Sequence, residues 1–200
     1  MNDAASGPSE ESGVTADPAL AEIMEALSAP KPIPRKQVMR WLASDDLEVM
    51  GAAAYLITYS PYWERIEPPL WSQEMEDFLF RYYECCLEED PQMEWADSRY
   101  QAAASIYDWF KAVPDEACLE GQMFLVRLKD WLARAYVEGS DEVRTAIVAG
   151  ALEHIFEEPR WRDFFSDWFA DPVLASACRT AMEWAVAHER ATPRENDAEH

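Results

Sequence analysis

The sequence predicts an all-α protein, a compact stack of about eight or nine antiparallel helices built as helical hairpins, a bundle or a degenerate helical repeat. Three observations predict it. Glycine occurs only six times in 200 residues, so long segments lack a residue that weakens helices. Ala, Leu, Glu, Met and Trp dominate segments of helical length, and no stretch alternates apolar and polar residues long enough to argue for a sheet. The connections between these segments are short, which favours neighbours that double back on one another. With 49% hydrophobic residues the chain has ample material for a core, and its length fits one domain, expected over residues 17–190.

Residues 1–16 are expected to form a disordered tail. Asp17 and Pro18 suit an N-cap and first helical position before LAEIMEAL, whose Leu20, Ile23, Met24 and Leu27 make one apolar stripe. APKPIP, 29–34, ends that helix as a stiff linker. Helices are then expected over about 34–43, 45–59, 69–89, 93–112, 115–138, 140–157, 160–170 and 172–190, punctuated by prolines and acidic caps. In the helix from Ser140, the residues Ile147, Val148, Ala151, Leu152 and Ile155 share one arc, Glu153 and Glu157 project from the far side, and His154 stands at the rim. ATPRENDAEH, 191–200, reads as a frayed end.

Charge narrows the function classes. The 17 Lys and Arg face 39 Asp and Glu, a formal charge of -22, which repels phosphate backbones and anionic membranes; neither nucleic acid nor membrane is expected as a partner. Residues 1–17 hold four acids and no base, and residues 191–200 three acids and one base, which leaves -16 on residues 18–190. The acidity therefore belongs to the folded body. The start, MNDAASGPSEESGVTADP, has neither a basic n-region nor an apolar h-region, and no window is apolar enough to span a bilayer; the expected compartment is the cytoplasm. Four cysteines are too few and too scattered for a disulfide framework, and adjacent Cys85 and Cys86 point about 100° apart on a helix, so all four are expected to be reduced core or rim thiols.

No catalytic, cofactor or metal site is expected. Glu153, His154, Glu157 and Glu158 lie within about two helical turns, so a carboxylate–imidazole site is conceivable there. A di-iron bundle, however, needs two Glu-x-x-His pairs, and this chain has three histidines and no such pair; nor does it contain His-Glu-x-x-His or paired Cys-x-x-Cys. His154 is read as a rim hydrogen-bonding residue. The other histidines, His188 and His200, sit in the last helix and the tail, which leaves no oriented base for a nucleophile. A Gly-x-Gly-x-x-Gly or Walker loop is also missing.

What stands out is the coupling of acids to large aromatics. ECCLEEDPQMEWAD, 84–97, holds six acids and no base; EEPRWRDFFSDWFAD, 157–171, mixes five acids with Trp161, Phe164, Phe165, Trp168 and Phe169. Aromatic anchors within uncompensated charge suit a tight interface with a basic protein, because rings supply buried area and the acidic field speeds encounter. The candidate partner-binding residues are Glu88, Glu89, Asp90 and Glu94 with Trp95 in one group, and Glu157, Glu158, Asp163 and Asp167 with Trp161 in the other. The opposing reading is that the rings are core and the acids solvated faces.

GALEHIFE, FFSDW and DPVLASACRTAMEW, within about residues 125–184, carry a resemblance to the small acidic all-helical bacterial immunity proteins of polymorphic-toxin and interbacterial competition systems. The resemblance implies a helical fold and a non-catalytic protein that neutralises a cognate toxin; it transfers no binding residue. An acidic inhibitor suits a basic toxin, and toxins acting on nucleic acid or nucleotides carry basic clefts for phosphate. Two alternatives stand beside it: an acidic DNA mimic that inhibits a DNA-binding enzyme, and a helical scaffold or adaptor. At the level of fold, the expected far-UV circular dichroism spectrum shows more than about half helix, against about one third for an ordinary domain; a sheet-dominated spectrum would refute the all-α reading.

Overall fold

The computed structural model describes residues 17–114 and 118–191. The expected N-terminal tail, 1–16, and all but the first residue of the expected C-terminal tail lie outside the described residues. The chain runs through α1 (Pro18–Ser28), β1 (Ile33–Pro34), α2 (Arg35–Leu42), α3 (Leu47–Thr58), a 3₁₀ turn (Trp63–Arg65), β2 (Ile66–Glu67), α4 (Ser72–Glu89), α5 (Arg99–Ala112) and α6 (Leu119–Glu138). It continues through α7 (Asp141–Ile147), a π-helical turn (Val148–Leu152), α8 (Glu153–Ile155), α9 (Pro159–Phe164), a second 3₁₀ turn (Ser166–Ala170) and α10 (Leu174–Ala191). Helix α1 packs on α3, α3 on α4 and α4 on α5, while α5 crosses the π turn, against which α10 also packs. A shared core runs through these elements, with Trp41, Tyr82, Phe110, Phe156 and Phe165 among its fully buried side chains.

Local signals explain most boundaries. The Asp17 carboxylate accepts from Ala19 N–H at 2.7 Å, and Pro18 takes the first position of α1. Ile23 is buried and Leu20 and Leu27 half-buried, whereas Met24 sits at the exposed edge of the stripe. The structure differs from expectation in four places. The linker 29–34 is more than a spacer: Ile33 pairs in parallel with Ile66, and both side chains are buried. Two residues of extended backbone are too few to show alternation in a sequence.

Helix α5 begins at Arg99, six residues later than expected. Ser98 and Gln101 form a capping box, in which Ser98 N–H donates to Gln101 Oε1 at 2.8 Å and Ser98 Oγ accepts from Gln101 N–H. The helix expected over 140–157 contains the π turn. Gly150 lies there because α5 passes so closely that an added Cβ would meet the Cβ of Ala103 at 2.6 Å. The helix expected over 160–170 divides into α9 and a 3₁₀ turn. Three residues per turn align positions i and i+3, and Phe165 and Trp168 meet edge to face at 4.7 Å, both buried.

The basic residues have a recurrent task, filling the free carbonyls at helix C-termini. Arg65 donates to Ala26 O, Ala29 O and Lys31 O at the end of α1. Arg81 donates to Leu42 O at the end of α2, Arg99 to Leu87 O and Glu88 O at the end of α4, and Arg144 to Tyr136 O and Val137 O at the end of α6. Arg162 reaches Phe156 O after α8, and Lys129 reaches Phe164 O, the last residue of α9, at 2.7 Å. A cation at these carbonyls satisfies orphan acceptors and complements the helix dipole. None of the described helices is long and apolar enough to cross a membrane. Replacing Arg99, whose side chain is only 15% exposed, by Met should lower stability in urea unfolding by about 2 kcal/mol or more; an unchanged midpoint would show that water caps α4 equally well.

Candidate functional site

The first acidic group is assembled where α4 stops. Asp90 adopts the left-handed conformation, φ 50° and ψ 57°, and its N–H closes onto Cys86 O at 3.1 Å. Aspartate tolerates this region better than most residues. Its carboxylate turns toward the protein: it accepts from Arg99 N–H at 2.9 Å and pairs with the Arg99 guanidinium at 3.5 Å. Asp90 is thus a structural acid, whereas Glu88, Glu89 and Glu94 are exposed and have no cationic partner among the described residues.

From Pro91 the chain crosses α3 before α5 begins. The crossing is close, since a Cβ at Gly51 would stand 1.8 Å from Trp95 O. Trp95 is half-buried and meets Tyr55 edge on at 6.0 Å. Tyr55 stacks on Tyr59 at 5.2 Å, and Tyr62 lies 5.7 Å and 5.9 Å from these two rings. Tyr55, Tyr59 and neighbouring Trp63 are 40%, 54% and 45% exposed, so they form an aromatic surface rather than core.

Behind this surface a cleft of about 350 Å³ opens between α3, α4 and the crossing segment, with Tyr55, Tyr82, Tyr83, Glu94, Trp95 and Asp97 among its lining residues. Asp97 N–H donates to the Tyr82 hydroxyl oxygen at 2.8 Å. Burial raises the Asp97 carboxyl above the ordinary aspartate value, an effect that a hydrogen bond from Tyr82 opposes. Burial also raises the Tyr82 and Tyr83 hydroxyls, and it pushes the Cys86 thiol up to about 12, so Cys86 is a protonated thiol at neutral pH. Cys178 is likewise pushed up to about 12 by burial, and the four cysteines are free thiols.

The second acidic group lies at the far end of α5. Trp161, Phe164 and Phe165 surround Phe110, in the last turn of that helix, with ring centroids 5.3, 6.3 and 5.5 Å away. Asp90, by contrast, touches its first residue. Eleven residues at 1.5 Å rise separate these two ends by about 16 Å, and the structure does not merge the two groups into one cluster. Trp161 is only 5% exposed, with its indole N–H buried and unpartnered, so it is placed in the core and not on the surface as a ready anchor.

Three acids of this second group have partners within the chain, two of them cations. Glu158 pairs with Arg160 at 2.9 Å, Asp167 pairs with Lys129, and Glu157 Oε1 lies 3.2 Å from His154 Nδ1. Asp163 is exposed and unpaired among the described residues. His154 stands on the exposed rim, 5.6 Å from the Tyr107 ring. Burial raises the carboxyl of neighbouring Glu153, which His154 partly offsets. Among the described residues no group of three or more His, Cys, Asp or Glu is placed to hold a metal ion.

Glu94 and Trp95 were candidates from the sequence; Asp97, which lines the same cleft, Tyr55, which meets Trp95, and Tyr59 and Tyr62, which meet Tyr55, were not. A signal existed for the tyrosines: their i, i+4, i+7 spacing in AYLITYSPY marks one helical face. None existed for Tyr82 and Tyr83, which reach the cleft from a separate helix. Comparison of this chain with protein-family models, curated proteins and solved structures gives no match.

Gly51 is the structural condition for this site. Alanine there should improve helix propensity by about 1 kcal/mol, yet it would drive a methyl into the Trp95 carbonyl. Gly51→Ala should therefore lower stability by about 1–3 kcal/mol in urea unfolding and displace the Trp95 indole N–H resonance. A stabilised variant with an unmoved Trp95 would mean that the crossing segment yields freely.

Proposed function

We propose that this protein binds and neutralises a basic protein toxin by occlusion, as a cytoplasmic immunity protein that catalyses no reaction. The observation that carries this reading is the division of charge: several arginines are directed at helix-end carbonyls, while Glu88, Glu89 and Glu94 stand exposed without a cationic partner among the described residues, Glu94 in the cleft with Tyr55 and Trp95. Such a surface attracts a cationic protein over distance and offers rings for it to bury against. The reading extends to a toxin that acts on nucleic acid or nucleotides, because the basic cleft that holds phosphate in such a protein is the complement of an acidic inhibitor. The sequence resemblance to immunity proteins points the same way.

Of the two acidic groups, the one at the end of α4 is the better docking face. In the other, Glu157, Glu158 and Asp167 already have partners within the chain. The direct experiment is co-expression with a basic toxin encoded beside this gene, scored by cell survival and co-purification. With such a partner, the triple variant Glu88→Lys, Glu89→Lys, Glu94→Lys should associate about tenfold more slowly at low salt and show a flatter dependence on ionic strength. Asp90 is left intact because it holds Arg99. An unchanged association rate reduces this face to a solvated surface, and survival without complex formation would refute occlusion.

A further inference from the structure

The chain twice uses one recognition pattern on itself. The Arg35 guanidinium lies 4.6 Å over the Trp71 ring while bonding Glu74 at 2.5 Å, and the Arg160 guanidinium lies 4.3 Å over the Trp161 ring while bonding Glu158 at 2.9 Å. In each case a tryptophan face and a nearby carboxylate hold one arginine. A third tryptophan, Trp95, also has carboxylates beside it, those of Glu94 and Asp97 in the same cleft. Here, among the described residues, no arginine or lysine of the chain pairs with either acid or stacks on the ring.

We propose that the cleft beside Trp95 receives an arginine side chain of the basic protein partner, its guanidinium stacked against the rings of Trp95 and Tyr55 and paired with Asp97 and Glu94. The assignment rests on the reading of the protein as an inhibitor of a basic protein, and it names the contact that would anchor that complex. Of the aromatic residues that line the cleft, Tyr55 is exposed and Trp95 half-buried, and these two rings can attract a cation; Tyr82 and Tyr83 are buried behind them. Asp97 is partly withdrawn from water without a counter-charge, so an entering cation offsets a desolvation cost already present in the free protein. Arginine suits the site better than lysine, because a planar guanidinium stacks and pairs at once and sheds its hydration more readily than an ammonium. Glu94 at the exposed mouth and the acids at the end of α4 give the cation an approach path.

The test separates the cleft from the partner. The full-length protein is titrated with N-acetyl-arginine amide, N-acetyl-lysine amide and, as the uncharged isostere, N-acetyl-citrulline amide, following the Trp95 indole N–H resonance by NMR. The arginine probe should shift that resonance saturably and the citrulline probe should not; Asp97→Asn should weaken arginine binding about tenfold, with Tyr82 still bonded by the unchanged backbone N–H. Exposed Tyr55, replaced by Ala, should weaken it severalfold while the protein stays folded, with a small drop in the unfolding midpoint from the lost ring contacts. Equal response to citrulline, or none to arginine, overturns the proposal. If a basic toxin dissociates from Asp97→Asn as slowly as from the unmodified protein, the cleft is not its anchor, although the inhibitor reading stands. If the cleft binds the arginine probe but a bound basic toxin leaves the Trp95 resonance unmoved, a protein-borne arginine is refuted as its occupant.

Discussion

The structure depends on the filling of helix C-termini by cations from elsewhere in the chain. A stack of many short helices has many ends, and each C-terminal end presents carbonyls with no intrahelical partner. Arg65, Arg81, Arg99, Arg144, Arg162 and Lys129 each reach such an end from a neighbouring element. These bonds join elements as well as finish them: Arg65 ties the first 3₁₀ turn to α1, Arg81 ties α4 to α2, and Lys129 ties α6 to α9. The Lys129 ammonium also sits 4.8 Å from the Phe164 ring and pairs with Asp167. One cation thereby holds a carbonyl, a carboxylate and an aromatic face.

That arrangement has an electrostatic consequence. In a chain of 17 bases and 39 acids, Arg81, Arg99, Arg144 and Lys129 each hold a helix-end carbonyl and one nearby carboxylate, which leaves other acids, Glu88 and Glu89 among them, without a cation among the described residues. The same bonds that secure the helix stack therefore leave its outside acidic, and the local pattern at α4 is the clearest case. Arg99 fills the end of that helix and holds Asp90, while Glu88 and Glu89 beside it remain exposed. The stability of the helix stack and the proposed attraction for a basic protein thus have a common origin.

The two aromatic segments show why similar composition leads to different roles. In residues 156–169 the 3₁₀ turn and the crossing of α5 fold Trp161 and Phe165 inward against Phe110, with Phe156 and Trp168 packed on Phe165. In residues 55–63 and 95, Tyr55 is an exposed position on an α3 buried over most of its surface, and Tyr59 and Tyr62, just beyond the end of that helix, pack against Tyr55. Gly51 then admits the backbone of the crossing segment so closely that Trp95 comes to rest on Tyr55. The result is a half-open aromatic cleft where a larger residue than glycine would have kept the segment away.

Much of the fold was legible in the sequence because helix signals are local. Asp17 with Pro18, the Ser98-x-x-Gln101 box and the apolar arc Ile147, Ala151, Leu152 and Ile155 each act within a turn or two, so their effect can be read from spacing alone. The late start of α5 shows the limit even there, since the box that marks it lies inside the run expected as helix from residue 93. The β1–β2 pairing and the π turn were not legible, because each depends on a partner far along the chain. The same division applies to the candidate site. Acidity and aromatic content marked 84–97 and 157–171, but only tertiary packing decided that Trp161 would be core, Trp95 half-open, Asp90 bound to Arg99 and Asp97 left beside rings from α3 and α4. Composition sets how many rings and charges must be placed; which of them meet is determined by long-range crossings, and those are governed by close approaches, such as that at Gly51, with no periodic trace in the sequence.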